Sequence, residues 1–174
     1  MNPSAVLRDT AGVTANPAAW PEDWAERFSG KKCVICDALG GGDSDYWIHV
    51  ADGACTEVHL DRSSQIAGYC LVVWRLSHVA EPTELDPDAA GAYWRDVLAA
   101  GRAVIAAFDP VKVNYFTLGN TVPHLHTHIV PRYTDDPMPG GPISWDKIVA
   151  APIFTESELR DQAAALRQAG LHGA

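Results

Sequence analysis

The chain has 174 residues, 47% of them hydrophobic and 20% charged, with a formal net charge of −9. That length suits one domain with a sizeable core, the acidic balance argues against a polynucleotide backbone as partner, and no apolar run approaches the roughly 20 residues of a membrane span. Residues 1–20 lack the basic-then-apolar order of a secretory leader, so the four cysteines are expected as reduced thiols in a cytoplasmic chain.

Residues 1–30 read as an N-terminal arm. It is small and polar to about residue 19 and is then a short helix over Trp20–Phe28, with Pro21 in a tolerated first turn and Gly30 near the end. Residues 31–174 read as a single domain. Cys33-Val34-Ile35-Cys36 opens it, and Gly40-Gly41-Gly42 makes a flexible break. This is no phosphate loop, because neither a Lys-Ser/Thr pair nor a helix start follows.

Tyr46–Ala51 and Cys55–Leu60 read as two strands joined at Asp52-Gly53, a strong hairpin signal. His49 and His59 on them are expected as partly exposed structural histidines. Gly68–Arg75 is a buried-looking strand. Asp86-Pro87-Asp88 supplies a cap, a first-turn proline and an acid suited to the helix dipole. Tyr93, Trp94, Val97, Leu98, Val104, Ile105 and Phe108 then recur at helical spacing as one core-facing stripe, and Asp109-Pro110 ends the helix. Val111–Leu118 is a strand, Gly119–Val122 a tight connection and Asp135–Pro142 a turn-rich loop. Thr155-Glu156-Ser157-Glu158 is a capping box opening a last helix that ends at Gly170. The order predicts an α+β domain: a mainly antiparallel five-stranded sheet, with a long helix and a C-terminal helix against one face.

The most informative stretch is Pro123-His124-Leu125-His126-Thr127-His128-Ile129-Val130-Pro131-Arg132. Its β-branched and apolar neighbours predict a strand, so His124, His126 and His128 share one face while Leu125, Thr127 and Ile129 take the other. Such a row titrates near neutrality and can supply a nucleophile, an acid or metal ligands. A Cys-x-x-Cys pair alone is a redox pair, a metal half-site or a coincidence.

The histidine stretch resembles the signature of the histidine triad (HIT) family, His-φ-His-φ-His-φ-φ with φ apolar, departing at Thr127. The resemblance runs from about Cys33 to Trp145. It implies a nucleotide hydrolase or transferase of HIT fold that forms a two-fold dimer. It implies a zinc held by Cys33, Cys36, His78 and His124, a set of four that leaves no open position and is therefore structural. It assigns the nucleophile to His126, and His128, one strand step away, can contact the same phosphate as a candidate for stabilising charge or protonating the leaving group. It places ribose hydroxyls on Asp61, where a carboxylate accepts from a vicinal diol. Asn120 and Thr121, just before the triad, and Asn114 would contact phosphate, and Arg132 is expected in a structural ion pair.

Two departures stand out. Relatives carry Gly-His-φ-Leu-Val on the third strand, where this chain has Gly68-Tyr69-Cys70-Leu71-Val72, and the usual Pro-Lys is replaced by Trp74-Arg75. The expected function is attack on the α-phosphate of an adenylated compound, either a dinucleoside polyphosphate or a nucleoside phosphoramidate, through a nucleotidyl-histidine. The alternatives are a transferase or phosphorylase with the same intermediate, a nucleotide-binding module with little catalysis, and a hydrolytic zinc enzyme. The expected partners are a small nucleotide and a second copy of the chain, with no polynucleotide and no membrane.

Overall fold

The computed structural model describes residues 19–142 and 153–171. The arm over residues 1–18 and the far end of the resemblance at Trp145 lie outside them. The described chain runs α1 (Trp24–Phe28), α2 (Val34–Ala38), β1 (Trp47–Asp52), β2 (Thr56–Asp61), β3 (Cys70–Trp74), α3 (Pro87–Phe108), β4 (Lys112–Thr117), β5 (His126–Arg132) and α4 (Glu156–Gln168). The strands form one sheet in the order β1-β2-β3-β5-β4, with every pairing antiparallel. The α+β architecture is the expected one. None of the described helices is long and apolar enough to cross a membrane.

Local chemistry sets the boundaries. Asp86 accepts from the Ala89 N–H with Pro87 in the first turn, and Asp109, at φ +46°, closes α3 in the left-handed region. Thr155 and Glu158 form the expected reciprocal box on α4. The β1–β2 turn is clamped by Asp96 of α3, which accepts from the Cys55 N–H and the Thr56 hydroxyl at 3.0 Å each. A Cβ on Gly53 would meet that carboxylate at 2.4 Å, so the turn requires glycine.

α3 and α4 cover one face of the sheet. Tyr93, Val97, Ala100 and Val104 pack with Val58, Val72 and Ile129, and Leu159, Ala163 and Leu166 complete the core. Thr127, the polar departure in the triad, belongs to this face: its hydroxyl lies 2.7 Å from the Tyr93 hydroxyl and 2.8 Å from that of Thr117, so its polar atom is satisfied inside the core. The long helix differs from expectation in one respect. Trp94, Leu98 and Ile105 are 40%, 49% and 50% exposed rather than core. They lie about 100° round the helix from Tyr93, Val97 and Val104, and so form a second stripe.

The opposite face of the sheet is built from Asp61, Tyr69, Leu71, Val73, His126, His128 and Asn114. The register sets Leu71 against His128, Val73 against His126, and Phe116 against His128. Regular pairing of β5 starts at His126 rather than His124. The His124 N–H instead bonds the Val122 carbonyl at 2.8 Å, a three-residue turn that swings its side chain out of the strand row. Pro131 lies inside β5, past the last pair with β3, where only one edge of the strand is in use.

Candidate functional site

Two adjoining clusters occupy the uncovered face. In the first, α1, α2, the loop after β3 and the entry to β5 converge on Cys33, Cys36, His78 and His124, whose potential ligand atoms all lie within 4.8 Å of one another. Cys33 Sγ is 3.3 Å from His124 Nδ1, and Cys36 Sγ is 3.4 Å from both His78 Nδ1 and His124 Nδ1. The Cys-x-x-Cys pair sits at a helix start: Cys33 is the N-cap of α2 and accepts from the Cys36 N–H. The helix thus opens within the motif.

Carbonyls settle the histidine tautomers, since a carbonyl only accepts. His124 Nε2–H donates to the Trp74 carbonyl at 2.7 Å, and His78 Nε2–H donates to the Phe28 carbonyl at 3.0 Å. Both rings therefore turn an Nδ1 lone pair toward the thiols, as metal ligands do when a backbone carbonyl orients them. Burial holds His124 down at about 4, so its imidazole is neutral. Burial, with Cys33 beside it, pushes the Cys36 thiol up to about 12, a cost that a bound cation would reverse. Two soft sulfurs and two imidazoles suit a tetrahedral ion with bonds of about 2.0–2.3 Å, whose ligand atoms stand roughly 3.3–3.8 Å apart. Gly30, at φ +81°, lies against this cluster, where a Cβ would come within 2.8 Å of the His78 ring.

In the second cluster, His126 Nδ1–H donates to the His124 carbonyl at 2.6 Å, so its Nε2 carries the lone pair. His128 Nε2 lies 3.0 Å from that nitrogen and is therefore the donor between them. Burial lowers the proton affinity of His126, against the pull of its carbonyl bond, and burial together with His126 holds His128 down at about 3. Both imidazoles are neutral at pH 7. A neutral, oriented Nε2 lone pair beside an N–H donor is an arrangement for nucleophilic attack on an electrophile with a charged oxygen.

The other predicted site residues surround this pair unequally. Asp61 ends β2 on the same face, and its backbone N–H bonds the Tyr69 carbonyl at 3.1 Å. Its Oδ1 accepts from the Ser63 N–H and hydroxyl at 2.7 Å each, an Asx turn. Burial holds its carboxyl above the ordinary range, against these bonds and one from the Ser64 backbone. Asn120 is exposed on the loop before the triad. The Thr121 carbonyl accepts from Arg27 of α1 at 3.1 Å, so the arm's helix braces that loop. Asn114 faces the site side of β4, but its Oδ1 accepts from Arg132 at 2.6 Å. Arg132 pairs with Asp136 and donates to the Met138 and Gly141 carbonyls, the structural role expected of it.

Three features were not read from the sequence. Arg27 and the Phe28 carbonyl belong to the site surroundings. Tyr69 bonds His128 directly. His59 is fully buried rather than partly exposed: its ring lies tilted against Trp47 at 4.5 Å and sits 3.2 Å from Glu57, and burial holds it down at about 3. Its covering comes from cross-strand partners, which a run of residues does not display.

Known proteins match this description. The family model for the HIT domain matches residues 50–135. Protein hit of Bacillus subtilis is 26% identical over 108 residues, covering 59% of this chain and 72% of that protein. A histidine triad protein of Bradyrhizobium japonicum has a TM-score of 0.62 at 27% identity, covering 71% of this chain and 90% of the other. A zinc-bound histidine triad family protein from Mycobacterium smegmatis shares the fold, with a TM-score of 0.57 at 22% identity over 79% of this chain and 95% of the other. With the family model on its central residues, His126 and His128 on one sheet face with His124 at the entry to that strand, and solved triad proteins superposing on most of the domain, the chain belongs to the histidine triad family.

Proposed function

We propose that the chain is a nucleotide hydrolase that attacks the α-phosphate of an adenylated compound and passes through a nucleotidyl-histidine at His126. The observation that carries this reading is the 2.6 Å bond from His126 Nδ1–H to the His124 carbonyl, which leaves Nε2 neutral and directed at the site. Attack forms the Nε2–P bond and expels the leaving group with its electron pair. For that attack His128 Nε2–H turns from His126 to a phosphate oxygen, which frees the His126 Nε2 lone pair. Water in turn breaks the N–P bond and releases a nucleoside monophosphate, so that one hard displacement becomes two easier ones. Asn120, Thr121 and the Asn114 amide nitrogen are the further phosphate contacts in this reading. Incubation with a dinucleoside polyphosphate, with and without inorganic phosphate, and mass analysis of the products tests it. Nucleoside monophosphate in both reactions is expected. Nucleoside diphosphate in the phosphate reaction alone identifies a phosphorylase, and no product at all sinks the reading.

Asp61 is the ribose residue in this proposal. Its Oδ1 is committed to Ser63, and the other carboxylate oxygen takes a sugar hydroxyl. Asp61→Ala is expected to weaken binding of a nucleoside monophosphate by roughly tenfold or more, the worth of one charge-assisted hydrogen bond. A deoxy analogue lacking the hydroxyl should lose much less, as read by calorimetry on both. Equal losses would reduce Asp61 to its Asx turn.

Zinc is the ion that best fits Cys33, Cys36, His78 and His124, a full set of four ligands with a structural part to play. A second copy of the chain is the proposed macromolecular partner. β4 is an edge strand, Tyr115 on it packs over Gly101 of α3, and Trp94, Leu98 and Ile105 make an exposed apolar stripe on that helix.

A further inference from the structure

Tyr69 is buried, its hydroxyl lies 2.5 Å from His128 Nδ1, and the two rings are parallel within 10°. The proton order that starts at the His124 carbonyl passes through His126 and places the His128 proton on Nε2. His128 Nδ1 is then an acceptor, and the Tyr69 hydroxyl is its donor. Tyr69 is thus a positioning residue that fixes the tautomer of His128, and the group standing behind His128 is a phenol rather than a base. Resting on the reading of His126 as the nucleotidyl acceptor, we propose that the Tyr69–His128 pair makes the site select phosphoanhydrides, whose leaving group departs as an anion, over phosphoramidates, whose leaving amine must take a proton.

The two reactions differ in what they ask of His128. With an anhydride, the Nε2–P bond of His126 forms, the P–O bond breaks, and the electron pair leaves on a phosphate oxygen that needs no proton at neutral pH. A hydrogen bond from His128 Nε2–H is sufficient. With a phosphoramidate, the P–N bond breaks, the pair goes to nitrogen, and that nitrogen must gain a proton. The proton at hand is the one on His128 Nε2. Releasing it leaves an imidazolate unless Tyr69 passes its own proton to Nδ1, which would leave a buried phenolate. Burial, with the charges of Asp61 and Cys70, pushes the Tyr69 hydroxyl well above its ordinary range, so that transfer is opposed. A doubly protonated His128 is no ready source either, because burial and His126 hold its proton affinity down.

The test compares kcat/KM of the full chain for diadenosine tetraphosphate and for adenosine 5′-phosphoramidate. A preference of ~100-fold or more for the anhydride is expected, the size of an absent general acid. Tyr69→His, which puts a base behind His128, should raise kcat for the phosphoramidate relative to kcat for the anhydride by ~10-fold or more, with KM for the phosphoramidate little changed. Nitrogen-15 NMR of the imidazoles gives a readout independent of turnover: His128 should be the Nε2–H tautomer in the unmutated chain and a mixture in Tyr69→Phe. Equal rates on the two compounds, a preference for the phosphoramidate, or an Nδ1–H tautomer for His128 would overturn the proposal while leaving the His126 reading intact. Turnover of neither compound, with no nucleotide trapped on His126, would overturn both. The substrate ratio and the tautomer are read on the unmutated chain, so a variant that fails to fold does not remove the test.

Discussion

His126→Ala is expected to lower turnover by ~10⁴-fold or more, the scale on which covalent nucleophiles are lost elsewhere. The fall should appear in kcat, with nucleotide affinity much better preserved, because the proposed contacts from Asp61, Asn120 and Thr121 come from other elements. His126 donates one hydrogen bond, to the His124 carbonyl, and its ring meets that of His128 at 4.7 Å. Its removal leaves a cavity and an unpaired His128 N–H, so a modest fall in melting temperature is expected, without the collapse that would explain the lost activity. Rapid quenching of the unmutated protein should trap a nucleotide on His126, stable to base and labile to acid, as an N–P bond is. His128→Ala keeps the nucleophile and loses its hydrogen-bond donor, so a smaller loss, ~10²–10³-fold, is expected there. A label that maps to His128, or near-full turnover in His126→Ala, would end this mechanism.

What could be read from the sequence was local. The alternation of His126 and His128 with Thr127 and Ile129 needs no knowledge of the rest of the chain, and it put the right side chains on the right faces. The caps of α3 and α4 are equally local, each resting on an Asp or Thr three residues before the N–H it satisfies. The site partners are a different matter. Cys33 and Cys36 announce half a metal site by spacing, but His78 lies 42 positions from Cys36 and His124 lies 88, and family resemblance rather than any local pattern brought them in. The Tyr69 bond to His128 spans 59 positions and depends on the β3–β5 register, so the sequence displayed the substitution without its consequence. Arg27 reaches Thr121 across 94 positions, and nothing local marks it. The burial of His59 likewise depends on the β1–β2 pairing that sets it opposite His49 and beside Trp47. His124 shows the limit of pattern within a strand: the alternation placed it in the row, whereas a three-residue turn turned it to the thiols.

The purified protein is expected to carry about one zinc ion per chain, and Cys33→Ser to lower the melting temperature by ~10 °C, equivalent to ~3 kcal/mol for a domain of this size. The size follows from what the four ligands join. Cys33 and Cys36 flank α2, His78 follows β3, and His124 precedes β5, so one ion would staple three chain segments that otherwise share a small apolar cluster of Cys33, Ile35 and Val73 with their neighbours. The larger core under α3 and α4 lies on the other side of the sheet, so the domain should loosen over α1 and α2 rather than unfold. Proteolysis within residues 24–38 should therefore rise in Cys33→Ser. Turnover should also fall, because the carbonyl that orients His126 belongs to His124, two residues earlier and one of the four proposed ligands. That loss should follow the structural change in time: a chelator should inactivate at the rate at which protease sensitivity appears. Elemental analysis that finds no metal in folded, reduced protein would refute the ligand assignment. Inactivation by chelator with an unchanged melting curve would instead give the ion a direct part in the chemistry, which four occupied positions on a tetrahedral centre do not allow.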